Sequence, residues 1–408
     1  SYLRSDIKFR MSSNLHEWLH ILLRWFHFIA GIMWVGTSFY FVWLDSSFKP
    51  TEKPLKGVDG EVWMVHGGNF YQVQKRRFGP GEMPTLLHWF KWEATLTWLS
   101  GFFLLILLYY LTNGTYLLDS QMNQLIPSIS PTQAGFLGLG VVFGGWFFYD
   151  LLFRSPLAKS PLLNYIGLAL VGFLIYFLTH TFSWRGAFIH LGAMFGTMMI
   201  LNFWVHILPN QAAIIDASNA GKEPDYELGK KAKTRSLHNS YMTLPVLFIM
   251  ISNHFPTIFG HPQSWIILIL ITLVGALVRH SMISSKLWPI LPSSICLGIL
   301  IFMTHLPNQG RGKDGESTQL GKAHFFQVNH IIQVRCVQCH SLYTTDDVFK
   351  MAPNGVYFDT TADIQHWTDR IKERVIVQKT MPLANKTLMT EEERSVLEKW
   401  IEQGAKFE

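Results

Sequence analysis

The sequence predicts an all-α fold: a polytopic transmembrane helix bundle of about eight spans over residues 1–305, then a small soluble helical unit over residues 306–408. Three observations carry this. Of 408 residues, 49% are hydrophobic and only 15% are charged, whereas an ordinary soluble protein carries about a quarter charged residues. The charge is also uneven, with 35 charged residues in the first 305 positions and 27 in the last 103. Finally, apolar stretches of about 20 residues, the length that carries a helix across ~30 Å of hydrocarbon, recur only in the first part. The net charge of +6 divides as +7 in the bundle and −1 in the tail. It therefore comes from interhelical loops, not from a nucleic-acid-binding surface, and three cysteines offer no disulfide framework.

The predicted spans cover about 15–44, 89–111, 133–153, 162–180, 186–208, 237–254, 264–280 and 287–305. The sixth, interrupted by Pro245, and the seventh are the weakest, with a re-entrant or interfacial segment as the alternative. Loop charge sets direction, because Lys and Arg are retained on the cytoplasmic side. Loops 45–87, 154–161, 210–235 and 279–288 hold 15 Lys or Arg, while loops 113–131, 181–185 and 255–262 hold only Arg185. The first set is then cytoplasmic and the C-terminal unit lies outside, although Arg4, Lys8 and Arg10 favour the opposite sense. Residues 1–10, ahead of Met11, receive no functional weight.

The tail contains Cys336-Val-Gln-Cys339-His340, the attachment pattern of a c-type haem. Two thiols at this spacing meet the two vinyl groups of one porphyrin, and the adjacent imidazole binds iron from one side. A zinc site would need two more ligands, and Cys296 lies inside the eighth span; a redox dithiol is the other alternative. An amphipathic stretch over 322–334 precedes the motif. Thr390 with Glu393 forms a capping box that opens a last helix, with Val396, Leu397, Trp400 and Ile401 as its apolar stripe. Met381, followed by proline on a loop, is the favoured second axial ligand, with Met351, Met389 and His366 as alternatives. The tail is thus predicted to be a class I-like cytochrome c domain carrying one covalent haem c on Cys336 and Cys339, its iron held by His340 and Met381.

Ionisable groups within a bilayer are costly and turn inward. At 100° per residue, His16, His20 and His27 fall within about 40° of one another on the first span, with Glu17 and Arg24 nearby and Gly31 and Trp34 continuing the face. His190 and His206 on the fifth span stand opposite His254 and His238 on the sixth, the arrangement of a membrane haem b. Against this, 16 residues rotate a straight helix by about 160°, which turns the members of each pair to opposite faces. Lys91 and Glu93 open the second span; a snorkelling lysine and an interfacial pair is the simpler reading. His66-Gly67-Gly68-Asn69-Phe70-Tyr71 reads as a Gly-rich polar loop, a weak ligand-cradle signal.

Residues 22–45 (LLRWFHFIAGIMWVGTSFYFVWLD), 56–71 (KGVDGEVWMVHGGNFY), 88–101 (HWFKWEATLTWLSG) and 250–256 (MISNHFP), joined to the CVQCH motif, resemble the membrane-bound urate hydroxylase family. The resemblance covers the chain after Met11. It implies a polytopic domain fused to a cytochrome c in the bacterial inner membrane, with the cytochrome on the periplasmic side. The implied reaction is oxidation of urate with water to 5-hydroxyisourate, with electrons passing to a soluble or membrane cytochrome c or a terminal oxidase. The residues themselves suggest Arg24 as an anion clamp, Lys91 as a second cation, His27 and Glu93 as bases, and Trp34 or Trp92 as a stacking wall. Two other readings are a membrane-anchored, quinol-linked electron-transfer cytochrome c subunit, and a transporter or sensor with a redox tail.

Overall fold

The structure, a computed structural model, describes residues 13–305 apart from 54, 113, 120–124, 260 and 262, and residues 324–407 apart from 350–351 and 354–355. The long first helix α1 (Ser13–Ser47) leads into a hairpin, β1 (Val58–His66) and β2 (Asn69–Arg76). There follow α2 (Trp92–Leu105), α3 (Pro131–Arg154), α4 (Leu162–Thr179), α5 (Trp184–Asn202), α6 (Leu208–Asn219), α7 (Tyr226–Ser252), α8 (Pro256–Phe259), α9 (Ser264–Ser284) and α10 (Ile290–His305). The tail contributes α11 (Phe325–Arg335), α12 (Thr361–His366), α13 (Thr368–Ile371) and α14 (Glu391–Glu402).

All eight predicted spans are helical, and six helices among the described residues are long and apolar enough to cross a membrane. The predicted seventh span, α9, is the most apolar of the six, with a mean hydropathy of 2.2. Two fall short. The first half of α7 carries Lys230, Lys231, Lys233 and Arg235, and the 16 residues of α10 reach only about 24 Å. Pro245 does not break α7. Its ring is received by Gly275 of α9, where an added Cβ would lie 2.7 Å from the proline Cδ.

The all-α expectation needs one correction, the antiparallel β1–β2 ribbon, paired from Val58 with Arg76 to His66 with Asn69. Gly67 and Gly68 both have positive φ and form the two-residue turn that such ribbons favour. The expected loop His66–Tyr71 is instead an exposed hairpin tip, with Asn69, Phe70 and Tyr71 already in β2.

Helix α5 is the axis of the bundle, buried along most of its length against α2, α3, α4 and α7. Its core includes Phe182, Phe188, Leu191 and Met194 from this helix and its approach, with Leu117, Ile175, Leu178 and Ile249 from its neighbours. Helix α1 stands at the rim against α2. The tail has a separate core, built on Val328, Ile332, Ile364, Met389, Leu397 and Trp400.

A polar cluster ties α3, α5 and α7 together. Asp150 is buried and meets Arg235 at 2.7 Å, His206 Nε2 at 2.6 Å and Arg154 at 2.7 Å. Arg235 lies 4.8 Å from the Tyr149 ring, and the Tyr149 hydroxyl meets His238 Nδ1 at 2.7 Å and accepts from Asn202 at 3.1 Å. Removing the acid would strand a buried guanidinium, which costs roughly 3–5 kcal/mol. Asp150→Ala should therefore lower the unfolding midpoint strongly in detergent scans, and adding Arg235→Leu should recover part of that loss.

Candidate functional site

A half-open cavity of ≈1960 Å³ lies between α1, α2, α5 and α7. Of the residues singled out in the sequence, His20, Arg24, His27, Gly31, Trp34 and His254 line it; Lys91, Glu93, Trp92, His190, His206 and His238 do not. Lys91 instead places its ammonium 5.7 Å from the Trp92 ring, and Glu93 begins α2 at the hairpin side of the bundle.

The first-span histidines do turn inward, as their spacing predicts. His16 Nε2 lies 3.4 Å from the Leu107 carbonyl. His27 Nδ1 donates to the Thr97 carbonyl at 2.9 Å and lies 3.1 Å from Ser100 Oγ. That bond holds the imidazole against α2 and leaves Nε2 as its basic nitrogen. Gly101 makes room for the ring, since an added Cβ would lie 2.8 Å from His27 Cε1.

At the end of the cavity nearest the tail, a second cation joins Arg24. Arg185 sits in the first turn of α5; its Nη2 donates to the Asn253 carbonyl at 3.2 Å, and its guanidinium lies 5.8 Å from the Tyr116 ring and 5.1 Å from that of Phe259. Arg24 and Arg185 are both within electrostatic range of Tyr109 and Tyr116. Three buried polar atoms of the lining, His20 Nε2, Arg185 Nε and Asn253 Oδ1, have no hydrogen-bond partner among the described residues. Two guanidinium groups, an amide oxygen, an imidazole and tyrosine rings suit a planar anion with both donors and acceptors on its edge. Sequence reading passed over Arg185 and Asn253 as site residues. The available signal was that Arg185 is the single cation in loops otherwise free of Lys and Arg.

The four histidines proposed for a membrane haem, at an outer level with His190 and His254 and an inner one with His206 and His238, are mostly held by protein partners. His190 Nδ1 donates to the Gly186 carbonyl at 2.7 Å, and its Nε2 meets the Tyr110 hydroxyl at 2.9 Å. Both ring nitrogens are therefore engaged. Packing there is tight, with a Cβ on Gly138 reaching 2.6 Å from His190 Nε2. His206 and His238 belong to the Asp150 cluster, and only His254 opens on the cavity. These residues do not fit a porphyrin.

The tail's donor set does fit one. Cys336 and Cys339 are free thiols, and burial pushes both up to about 12. Burial also lowers His340, opposed by its Nδ1 bond to the Val356 carbonyl at 3.0 Å, so the neutral ring presents Nε2. The loop is braced by the Phe358 amide on the His340 carbonyl at 2.9 Å and by Ser341 on Asp359 at 2.6 Å. Met381 packs on the same core as Cys336 and Val337. Its amide donates to the Arg374 carbonyl at 3.0 Å, and buried Arg394 donates to its carbonyl at 2.8 Å. Among the alternatives, His366 is exposed, Met389 is a core residue whose backbone is tied to Asn385, and Met351 lies outside the described residues. The expected capping box of Thr390 and Glu393 opens α14.

This unit rests on the same end of the bundle. The Phe349 ring lies 6.1 Å from Tyr116, edge to face, and Lys379, Thr380 and Leu383 line a crevice with Thr115, Trp184 and Arg185. Asp346, held below the usual carboxylate range by Lys386 and the Phe349 and Val348 amides against the opposing effect of burial, anchors that loop.

Gly101→Ala should overpack His27 and destabilise by about 1–3 kcal/mol, whereas Gly36→Ala, which meets nothing within 4 Å, should be neutral. Paired thermal unfolding scans check this.

A family model described as "Urate oxidase N-terminal" matches residues 13–305. Neither the curated proteins nor the solved structures provide a match. The matched segment includes α1 to α10 and every residue lining the cavity. The chain belongs to the urate oxidase N-terminal family.

Proposed function

We propose that the chain is a urate hydroxylase of the bacterial inner membrane, with its tail on the periplasmic side. Urate and water give 5-hydroxyisourate, two protons and two electrons at the tail-side end of the cavity. The carrying observation is that the unit with the CxxCH motif rests on the cavity end where Arg24, Arg185 and Asn253 gather.

Arg24 and Arg185 hold the urate anion, the Asn253 amide oxygen accepts from a ring N–H, and Tyr109 and Tyr116 flank the plane. His27, one turn from Arg24 on the same face, takes a proton from urate or from the attacking water. A haem c would be held by Cys336, Cys339, His340 and Met381 and would supply a one-electron acceptor there. The two electrons from urate would go on to a soluble or membrane cytochrome c or a terminal oxidase. No membrane haem is required, because the site abuts the tail.

Urate loss should continue without oxygen when oxidised cytochrome c is supplied, and the new oxygen in the product should come from labelled water. Label arriving from oxygen gas, or haem reduction by quinol but not by urate, would overturn this reading. Arg185→Gln removes a charged hydrogen-bond donor worth roughly 1.5–3 kcal/mol and should lower kcat/KM about 10- to 100-fold while covalent haem is retained. Met381→Ala should abolish the low-spin, methionine-ligated spectrum with the haem still attached. Survival of that spectrum in Met381→Ala, with its loss in Met389→Ala, would move the ligand.

A further inference from the structure

The cavity is larger than one small ligand needs. Small-molecule sites occupy about 300–1,000 Å³, and this one holds ≈1960 Å³. It is also long. Along α1 its lining runs to Asp45 from His20, 25 residues and about 38 Å of helix. Along α7 it runs from Gly229 to Ile251, 22 residues and about 33 Å, enough to span a hydrocarbon core of ~30 Å.

Both ends carry cations. Lys75 and Lys233 line the hairpin side, together with the His88 ring, and Arg24 and Arg185 the tail side; Asp45, the acid in the hairpin-side lining, is paired with Lys75. Between them, α7 contributes Ser236, Asn239, Ser240 and Thr243, and α5 faces them with Thr197. Midway, α5 contributes no side chain at Gly196, where an added Cβ would meet nothing within 4 Å, although its neighbours Phe195 and Thr197 are buried. The opening is therefore built into the most buried helix of the bundle.

We propose that this cavity is a conduit, admitting the urate anion at the hairpin side and delivering it through the bundle to the tail-side end. Uptake and oxidation then use opposite faces of the membrane. The inference rests on the urate reading above and extends it to a second activity, passage of the substrate.

The test uses the intact chain, with its haem, in sealed vesicles oriented tail outward and with oxidised cytochrome c outside. Urate is either loaded inside or added outside. Reduction of external cytochrome c by internal urate supports the conduit. Gly196→Phe, about 16 Å along α5 from Arg185, should cut that rate at least tenfold and leave oxidation of external urate unchanged, which also reports correct folding. If Gly196→Phe does not accumulate, Lys233→Glu should raise the KM for internal urate only. Oxidation of external urate alone overturns the conduit and leaves a site entered from the tail side, with the remaining volume open to lipid chains. An internal rate untouched by both variants also overturns it. No reduction from either side removes the urate reading itself, and the conduit with it.

Discussion

A polar group inside a bundle with an apolar rim must find its partner within the protein, because the hydrocarbon around it offers none. Most of this structure follows from that constraint. Asp150 balances Arg235 and Arg154 and engages His206, His238 is satisfied by Tyr149, and His190 spends both nitrogens on neighbours. The groups that escape the rule are informative. His20, Arg185 and Asn253 keep unpartnered atoms on the cavity wall, where a ligand with matching donors and acceptors would complete them. Arg279 on α9 is another, fully buried with one bond to Ser38 and the Phe39 ring 4.4 Å away.

Helix α5 places both sets of groups. Buried on almost every side, it carries Arg185 to the tail-side end of the cavity and His206 to the Asp150 cluster. The wider π turn at Phe203–Ile207 breaks the regular phase between its two histidines. The glycines of the bundle act chiefly by what they leave empty. Gly101 seats His27, Gly275 receives Pro245, and Gly196 leaves the passage open.

The tail illustrates how a small unit is made rigid enough to hold a group in place. Its helices share one core, and buried Arg394 joins α14 to the Met381 loop, while Asp346 and Lys386 clamp the segment that reaches Tyr116. Docking this unit beside the cavity shortens the electron path from the proposed site. In mid-bundle, His190, His206 and His238 are engaged by protein partners, whereas His20 and His254 face the cavity.

The sequence by itself determined the presence of the long apolar helices and the inward face of α1, although α7 begins at Tyr226 and not near 237, and α6 has no counterpart among the predicted spans. The apolar helices and that face are set by local periodicity and composition, and neither depends on a distant residue. Only the tertiary structure decided which polar groups meet. Histidines at matching heights on neighbouring helices looked like a haem pair, but their partners, Tyr110, Tyr149 and Asp150, come from α3 and the turn after α2. Lys91 and Glu93 share the right chemistry with Arg24 and lie at the other end of α2 from the site, whereas Arg185 and Asn253 reach it from the tail-side ends of two other helices. A site of this kind is the meeting of side chains far apart in the chain, and that meeting is fixed by how the helices pack.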